Sequence, residues 1–113
     1  MTTNQKQFEA TIMQARLVLF AKECGINLSL RTAGRSRDEQ RKMVAYGKSK
    51  TMNSPHLKFL AFDFVMIRDG KSVEDSTDPD WKVLGEFWKN LNPNAVWGGD
   101  WSFGDAGHFE YKD

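Results

Sequence analysis

Two histidines and two aspartates are the residues of this sequence whose types and spacing could do chemistry. His56 precedes Asp63 by seven residues, and His108 follows Asp105 by three. Two imidazoles and one carboxylate are a common ligand set for catalytic zinc, which keeps its remaining position open for water. A second carboxylate nearby could take a proton from water that the metal has acidified. One interpretation is therefore a hydrolytic metal site with His56, Asp63 and His108 as ligands and Asp105 as base, although two histidines in a domain of this size are by themselves a weak signal.

Asp63 is unusual because every other residue from Phe59 to Ile67 is apolar. An ionised carboxylate in such a strand is costly unless it takes up a proton, pairs with a cation or binds a metal. A structural ion pair with Arg31, Arg35 or Arg37 would satisfy it as well as a metal would. From the residues alone, both interpretations stay open.

A long first helix is predicted from the N-terminal segment. Phe8, Ile12, Ala15 and Leu19 recur at helical spacing and indicate an apolar helix face from about Asn4 to Cys24. The single cysteine at its end is expected to be a small buried residue with a structural role.

The next segments predict a strand, a short helix and a loop. INLSLRT alternates apolar and polar residues, which is typical of a half-buried strand. Ser36 and Glu39 form a capping box, and Gly47 is a typical helix terminator, so a short helix is expected between them. Arg35 would lie just before the first turn of this helix, and residues 47–55 predict a loop.

The second half of the chain predicts a hairpin, a third helix and two further strands. The apolar strand that contains Asp63 ends at Asp69-Gly70, a hairpin signal. Asp78 and Pro79 are typical of the N-cap and first position of a helix. The apolar residues expected on one face of that helix are Trp81, Leu84, Trp88 and Leu91. The tail predicts two short aromatic strands joined by a glycine-rich turn.

This order of elements predicts an α+β fold with a small, mostly antiparallel sheet and helices packed to one side. A chain of 113 residues suffices for a single core, so one domain over residues 1–113 is expected. Its formal net charge of +1 gives no field that would mark a protein binding nucleic acid or a membrane surface. No segment approaches the ~20 apolar residues that span a bilayer, and no export signal is visible.

Three sequence blocks resemble those of a known family. SPHLKFLAFDF looks like the Ser-x-His-(six residues)-Asp signature of VanY-like D,D-carboxypeptidases and phage L-alanyl-D-glutamate endopeptidases. These are LAS zinc peptidases that share the hedgehog/DD-peptidase fold. GRSRDEQRKMVAYGKS is similar to the family's arginine-serine, glutamine and glycine block, and WGGDWSFGDAGHFEY is similar to its closing block. The blocks occur in the family's order and cover most of the chain after Leu30.

The resemblance implies roles for individual residues. It makes His56, Asp63 and His108 the zinc ligands and Asp105 the general base. It also places Arg35 in the site as a catalytic and substrate-binding residue. A guanidinium there could bind a substrate carboxylate or carbonyl, or stabilise the oxyanion that forms on attack.

Five more residues have less specific expectations. Ser54 would hold the loop or contact substrate, and Trp101 and Trp97 are the tryptophans expected nearest the site. Glu110 could orient a ligand histidine, or it could be a surface residue of a strand. Phe59 stands where many family members have glycine, which is expected to change the shape of the nearby substrate wall.

The implied substrate is the stem peptide of peptidoglycan, cleaved with Zn²⁺ at the L-Ala-D-Glu bond. The expected setting is a monomeric phage or prophage endolysin without a signal peptide, made in the cytoplasm and released to the cell wall by a holin. A D-alanyl-D-alanine carboxypeptidase of the same family is the first alternative. A non-catalytic wall-binding module is the second, and Asp105 beside a full ligand set speaks against it.

Overall fold

A computed structural model describes residues 1–49, 52 and 54–113. The helices and strands are α1 Thr3–Glu23, β1 Asn27–Thr32, α2 Arg37–Ala45, a 3₁₀ helix Pro55–Lys58, β2 Ala61–Arg68, β3 Lys71–Ser72, α3 Pro79–Lys89, β4 Ala95–Trp97, a 3₁₀ turn Gly98–Asp100 and β5 His108–Tyr111. The predicted loop over 47–55 includes Lys50, Thr51 and Asn53, which lie outside the described residues. Among the helices described, none has the length and apolar character needed to cross a bilayer.

The five strands form one sheet in the order β1-β2-β5-β4, and β3 pairs with β2. Every pairing is antiparallel. The sheet and its helices confirm the predicted α+β class. The two aromatic strands expected in the tail are β4 and β5, which pair with each other.

Helices α1 and α3 cover one face of the sheet. The aromatic rings of Phe20 on α1 and Phe87 on α3 stack with centroids 3.9 Å apart. Trp88 is fully buried under β5, and its indole N–H donates to the carbonyl oxygens of Val96 and Glu110, at 3.1 Å each. Burying a large indole while satisfying its N–H ties α3 to the last two strands.

Local sequence signals account for the ends of the elements. The Ser36 hydroxyl accepts from the Glu39 backbone N–H at 3.0 Å, so the predicted capping box begins α2. Asp78 caps α3 by accepting from the N–H of Asp80 at 3.0 Å. Asp69 and Gly70 both have positive φ, 54° and 76°, as a tight hairpin requires. These predictions are confirmed.

The prediction for the apolar face of α1 is wrong. The exposed side chains are Phe8, Ile12, Ala15 and Leu19, with Phe8 and Leu19 at 66% and 62% exposure. The buried side chains of this helix are Ala10, Met13, Leu17 and Ala21. Helix α1 thus carries two apolar stripes, and spacing alone cannot tell which one faces the core. The expectation of a buried cysteine is wrong as well, because Cys24 follows the last turn of the helix and is exposed.

Candidate metal centre

Strand register brings Asp63 and His108 together. They are directly opposite each other in the β2–β5 pairing, and cross-strand partners project from the same face of a sheet. Their neighbours Phe62 and Phe109 project from the other face into the core. A bulge in β1 lies beside Asp63, because the register shifts between Leu30 and Thr32.

His56 is held by the loops that flank it. Ser54 caps the 3₁₀ helix and accepts from the His56 N–H at 3.2 Å. The His56 ring Nδ1 lies 3.3 Å from the carbonyl oxygen of Ala33, and the Arg35 N–H donates to the His56 carbonyl at 3.1 Å. The segment after β1 therefore fixes both the backbone and the ring of His56.

The three predicted ligands form one cluster. The Asp63 carboxylate lies 2.9 Å from His56 Nε2 and 2.8 Å from His108 Nδ1. Candidate ligand atoms of the three residues all lie within 4.8 Å of one another. In the described part of the chain, the ion-pair partners of Asp63 are these histidines, so the alternative pairing with an arginine is not what the structure has.

Hydrogen bonds on the far side of each ring select which nitrogen faces the cluster. Because the Ala33 carbonyl can only accept, His56 donates from Nδ1 and directs Nε2 to Asp63. His108 contacts Glu110 through Nε2 at 2.7 Å and directs Nδ1 to Asp63. Two imidazole nitrogens and a carboxylate oxygen, each ring oriented by an outer acceptor, are the donor set that zinc takes in proteins. The residues present fit a metal ion.

The cluster has strongly shifted proton affinities. Burial alone would raise the pKa of Asp63, but hydrogen bonds from His108 and His56 outweigh burial and hold that pKa well below its ordinary value. Burial alone would lower the pKa of His108, but its bonds to Asp63 and Glu110 raise the pKa to about 9. Without a metal, the cluster is thus an ion pair at neutral pH.

Asp105 lies on the turn that leads into β5. Its N–H donates to the Gly98 carbonyl at 2.9 Å, and its own carbonyl accepts from the His108 N–H at 3.1 Å. A Cβ at position 98 would overlap the Asp105 carbonyl oxygen and crowd His108 Cβ, so only glycine allows this approach. Trp97 is buried and donates from Nε1 to the Ala106 carbonyl at 2.8 Å, which holds the same turn. Partial withdrawal from water raises the pKa of the Asp105 carboxyl.

A groove of about 620 Å³ contains the cluster and the residues predicted for catalysis and substrate binding. Besides the three candidate ligands, it is lined by Arg35, Ser54, Trp101 and Asp105. The Trp101 ring lies 4.9 Å from the His108 ring, centroid to centroid. Trp97, the other tryptophan expected near the site, is buried in the core and does not line the groove.

Arg35 is held by a residue that the sequence left without a clear role. Its guanidinium donates to Gln40 Oε1 at 2.8 Å, and Gln40 is fully buried beneath it. The Gln40 side-chain amide in turn donates to the Ser49 hydroxyl at 2.9 Å. A buried amide between two polar partners fixes the orientation of the guanidinium.

Several residues of the site were missed from the sequence. Lys48 and Phe103 line the groove, but each lies in an irregular segment where spacing carries no signal. Ala33 acts through its backbone carbonyl, so its side chain carries no signal either. Glu110 was expected either to orient a ligand histidine or to be a surface residue of a strand. Its side chain contacts the His108 ring, which agrees with the first role.

The chain is similar in sequence and in fold to known peptidases. Residues 47–111 match the sequence family described as D-alanyl-D-alanine carboxypeptidase. The L-alanyl-D-glutamate peptidase of Listeria phage A118 is 33% identical over 98 residues, which are 86% of this chain and 34% of that protein. The chain thus spans about a third of the length of this relative. The crystal structure of the L-Ala D-Glu endopeptidase ChiX from Serratia marcescens superposes with a TM-score of 0.66 at 26% identity, covering 77% of this chain and 68% of that one.

Proposed function

Because the chain belongs to the D-alanyl-D-alanine carboxypeptidase family, we propose that it is a zinc-dependent peptidase that cleaves peptidoglycan stem peptides. The observation that carries this proposal is the convergence of His56, Asp63 and His108, whose candidate ligand atoms lie within 4.8 Å of one another. The same groove contains Asp105, a carboxylate outside the ligand set. A metal site with a spare carboxylate beside it is the arrangement that hydrolysis of an amide needs.

The bond we propose is the one between L-alanine and D-glutamate. Its support is that both relatives named above are described as L-alanyl-D-glutamate peptidases or endopeptidases. The alternative, release of a terminal D-alanine, is supported by the description of the matched family.

His56, Asp63 and His108 would hold the zinc ion. When bound, zinc supplies a Lewis acid that polarises the scissile carbonyl and acidifies water. Ala33 and Glu110 keep the two rings in the tautomers and orientations that ligation requires, each through the nitrogen that faces away from the cluster.

Asp105 is the proposed general base. It takes a proton from the attacking water, whose oxygen forms a bond to the scissile carbonyl carbon, and passes that proton to the amine that leaves when the C–N bond breaks. Partial burial raises its pKa, which makes the carboxylate a better proton acceptor near neutral pH. Arg35, fixed by Gln40, binds a substrate oxygen and stabilises the negative charge that develops there.

Ser54 and Trp101 both line the groove and are the proposed substrate contacts. Ser54 also caps the 3₁₀ helix, so its hydroxyl has a structural task besides any contact with peptide. We further propose that residues 1–113 form one zinc peptidase domain that acts as a monomer on the cell wall. Release by a holin stays a prediction.

Digestion of purified peptidoglycan tests the function and the bond together. The products are separated, and the new amino and carboxyl termini are identified by mass spectrometry. New D-glutamate amino termini are expected. Free D-alanine instead would favour the carboxypeptidase alternative. A zinc-loaded protein that binds peptidoglycan but releases no new termini would favour the wall-binding module.

A further inference from the structure

A second cavity lies next to the metal groove and shares one residue with it. It has a volume of about 640 Å³ and lies between the segment after β1 and the end of the 3₁₀ helix. Arg35 lines both this cavity and the metal groove. The two cavities therefore adjoin at Arg35.

The charge of this cavity is predominantly positive. Arg35, Arg37 and Lys58 line it, against the single carboxylate of Glu39. Glu39 is occupied with capping α2, because its side chain accepts from the Ser36 N–H at 3.2 Å. Lys58 forms an ion pair with Asp113. The positive charge that remains for a ligand is thus carried by the two arginines.

Arg37 has no evident structural task. Its side chain is exposed, and no hydrogen bond or ion pair joins it to another residue in the part of the chain that the structure describes. It is the first residue of α2, where the positive end of the helix dipole disfavours a cation. Stability of the helix therefore does not explain an arginine at this position.

Phe59 forms the apolar wall of the same cavity. It has a left-handed backbone conformation with φ of 56°, which is unfavourable for a residue with a side chain. The residue is 56% exposed, and its ring covers Gly34 so closely that a Cβ there would overlap the ring. The left-handed conformation of Phe59 also ends the 3₁₀ helix, but its ring stays at the surface, and such backbone conformations cluster at functional sites.

We propose that this cavity is a subsite for a free carboxylate of the peptide substrate, with Arg37 as its cation and the Phe59 ring as its wall. The proposal rests on the proposed function, since stem peptides carry free carboxylates on residues near the bond to be cut. Arginine suits this role because its planar guanidinium can bind a carboxylate through two parallel hydrogen bonds. Arg37 and Phe59 would then decide which stem peptides bind well, while the metal cluster and Asp105 decide the chemistry.

Matched pairs of synthetic stem peptides test the subsite. Each pair differs only in a free carboxylate or a carboxamide, once at the D-glutamate residue and once at the residue that follows it. For at least one pair, the parent is expected to show a KM about tenfold lower for the carboxylate peptide, with a similar kcat. Arg37→Ala should remove this preference, and Arg37→Lys should restore part of it.

Two further variants complete the experiment. Arg41→Ala is the matched control, since Arg41 is an exposed arginine of the same helix that pairs with Asp38, and it should keep the preference. Phe59→Gly should weaken the preference without unfolding the chain, because glycine tolerates the left-handed conformation. An Arg37→Ala variant that discriminates like the parent overturns the subsite while leaving the peptidase function intact.

Binding measurements cover the case in which the parent cleaves neither peptide, which would count against the proposed function. Calorimetric titration with the same pairs then decides the subsite alone. About tenfold tighter binding of a carboxylate peptide, lost in Arg37→Ala, supports it. Equal binding of both members in every pair overturns it.

Discussion

His108 engages a carboxylate through each of its ring nitrogens, Asp63 on one side and Glu110 on the other. These contacts raise its pKa to about 9 from an ordinary value of 6.5. A group with a raised folded-state pKa contributes stability that is full below the ordinary value and is lost as pH rises through the folded value. In chelated protein, His108 thus stabilises the fold at neutral pH and ceases to do so in alkali.

The first prediction follows from the direction of this pKa shift. The melting temperature of chelated protein should fall between pH 6.5 and pH 9.5, measured by circular dichroism. Asp63 affects stability at acid pH. Because its pKa is lowered in the folded chain, its contribution to stability is lost only as pH falls below its ordinary pKa of 3.8. Glu110→Gln removes one carboxylate from His108, so the alkaline decline should be smaller and should end at a lower pH. A flat melting temperature over the alkaline range would contradict the assignment.

The second prediction concerns the metal. Purified protein should contain one zinc ion per chain by elemental mass spectrometry, because two imidazoles and a carboxylate suit that ion. His56→Ala and His108→Ala should each lose most of it. Cys24→Ser is the control, since an exposed thiol outside the cluster is a group with high affinity for zinc that the proposed site does not use. Undiminished zinc in both histidine variants would mean that the ion binds elsewhere.

The third prediction separates Asp105 from the ligands. Asp105→Asn should keep the zinc content and melting temperature of the parent, because the residue is outside the cluster. Its rate of stem-peptide cleavage should fall by about 10²-fold or more, the usual contribution of a positioned base. Asp100→Asn serves as control, since Asp100 pairs with Lys89, and it should retain full activity. Unchanged cleavage by Asp105→Asn would remove Asp105 from the mechanism.

At the scale of elements, the site depends on close packing between a turn and a strand. The turn Gly98–Asp100 lies against the segment that carries Asp105 into β5. In a fourth prediction, Gly98→Ala should lower zinc affinity and peptide cleavage by at least about tenfold, because the added methyl overlaps the Asp105 carbonyl. Zinc titration and cleavage assays measure the two effects.

Gly25→Ala is the matched control for this substitution. Gly25 has a positive φ of 75° but open space around it, so alanine there adds backbone strain without a clash. It should lower the melting temperature by a few degrees, for about 1 kcal/mol, and leave zinc affinity unchanged. If both variants behave alike, general destabilisation and not the Asp105 turn explains the loss in Gly98→Ala.

Elements with a local signal could be predicted from the sequence. The Ser36 cap, the Asp69-Gly70 hairpin and the buried face of α3 depend on residues a few positions apart, and all three are present. One residue predicted for that face is wrong, because Leu91 lies beyond the end of α3 and is only half-buried. The buried face of α1 could not be predicted, since both of its stripes have helical spacing. The left-handed conformation of Phe59 also carries no signal, because that conformation is unusual for an aromatic residue.

The site likewise has residues that the sequence could identify and residues that it could not. His56, Asp63 and His108 could be singled out because their residue types are rare in apolar surroundings and because a family resemblance relates them. The roles of Ala33 and Gln40 depend on contacts with His56 and Arg35, which are distant from them in sequence or reached only in the folded chain.

For the whole molecule, the metal is expected to contribute to stability as well as to chemistry. The fifth prediction is that removing zinc with a chelator lowers the melting temperature, because an ion that binds only the folded chain stabilises it by about 4 kcal/mol at a thousand times its dissociation constant. Differential scanning calorimetry with and without chelator measures this. Re-adding zinc should restore the transition. An unchanged transition would mean that the folded chain does not depend on a bound ion.

The exposed apolar stripe of α1 affects how the protein behaves in solution and lies apart from the proposed site. Phe8, Ile12 and Leu19 together form an exposed apolar strip on the helix, and such strips promote self-association in concentrated solution. None of the three lines the metal groove or the second cavity. Charged residues can therefore replace these three side chains to reduce self-association during expression or formulation, without altering the chemistry of the site.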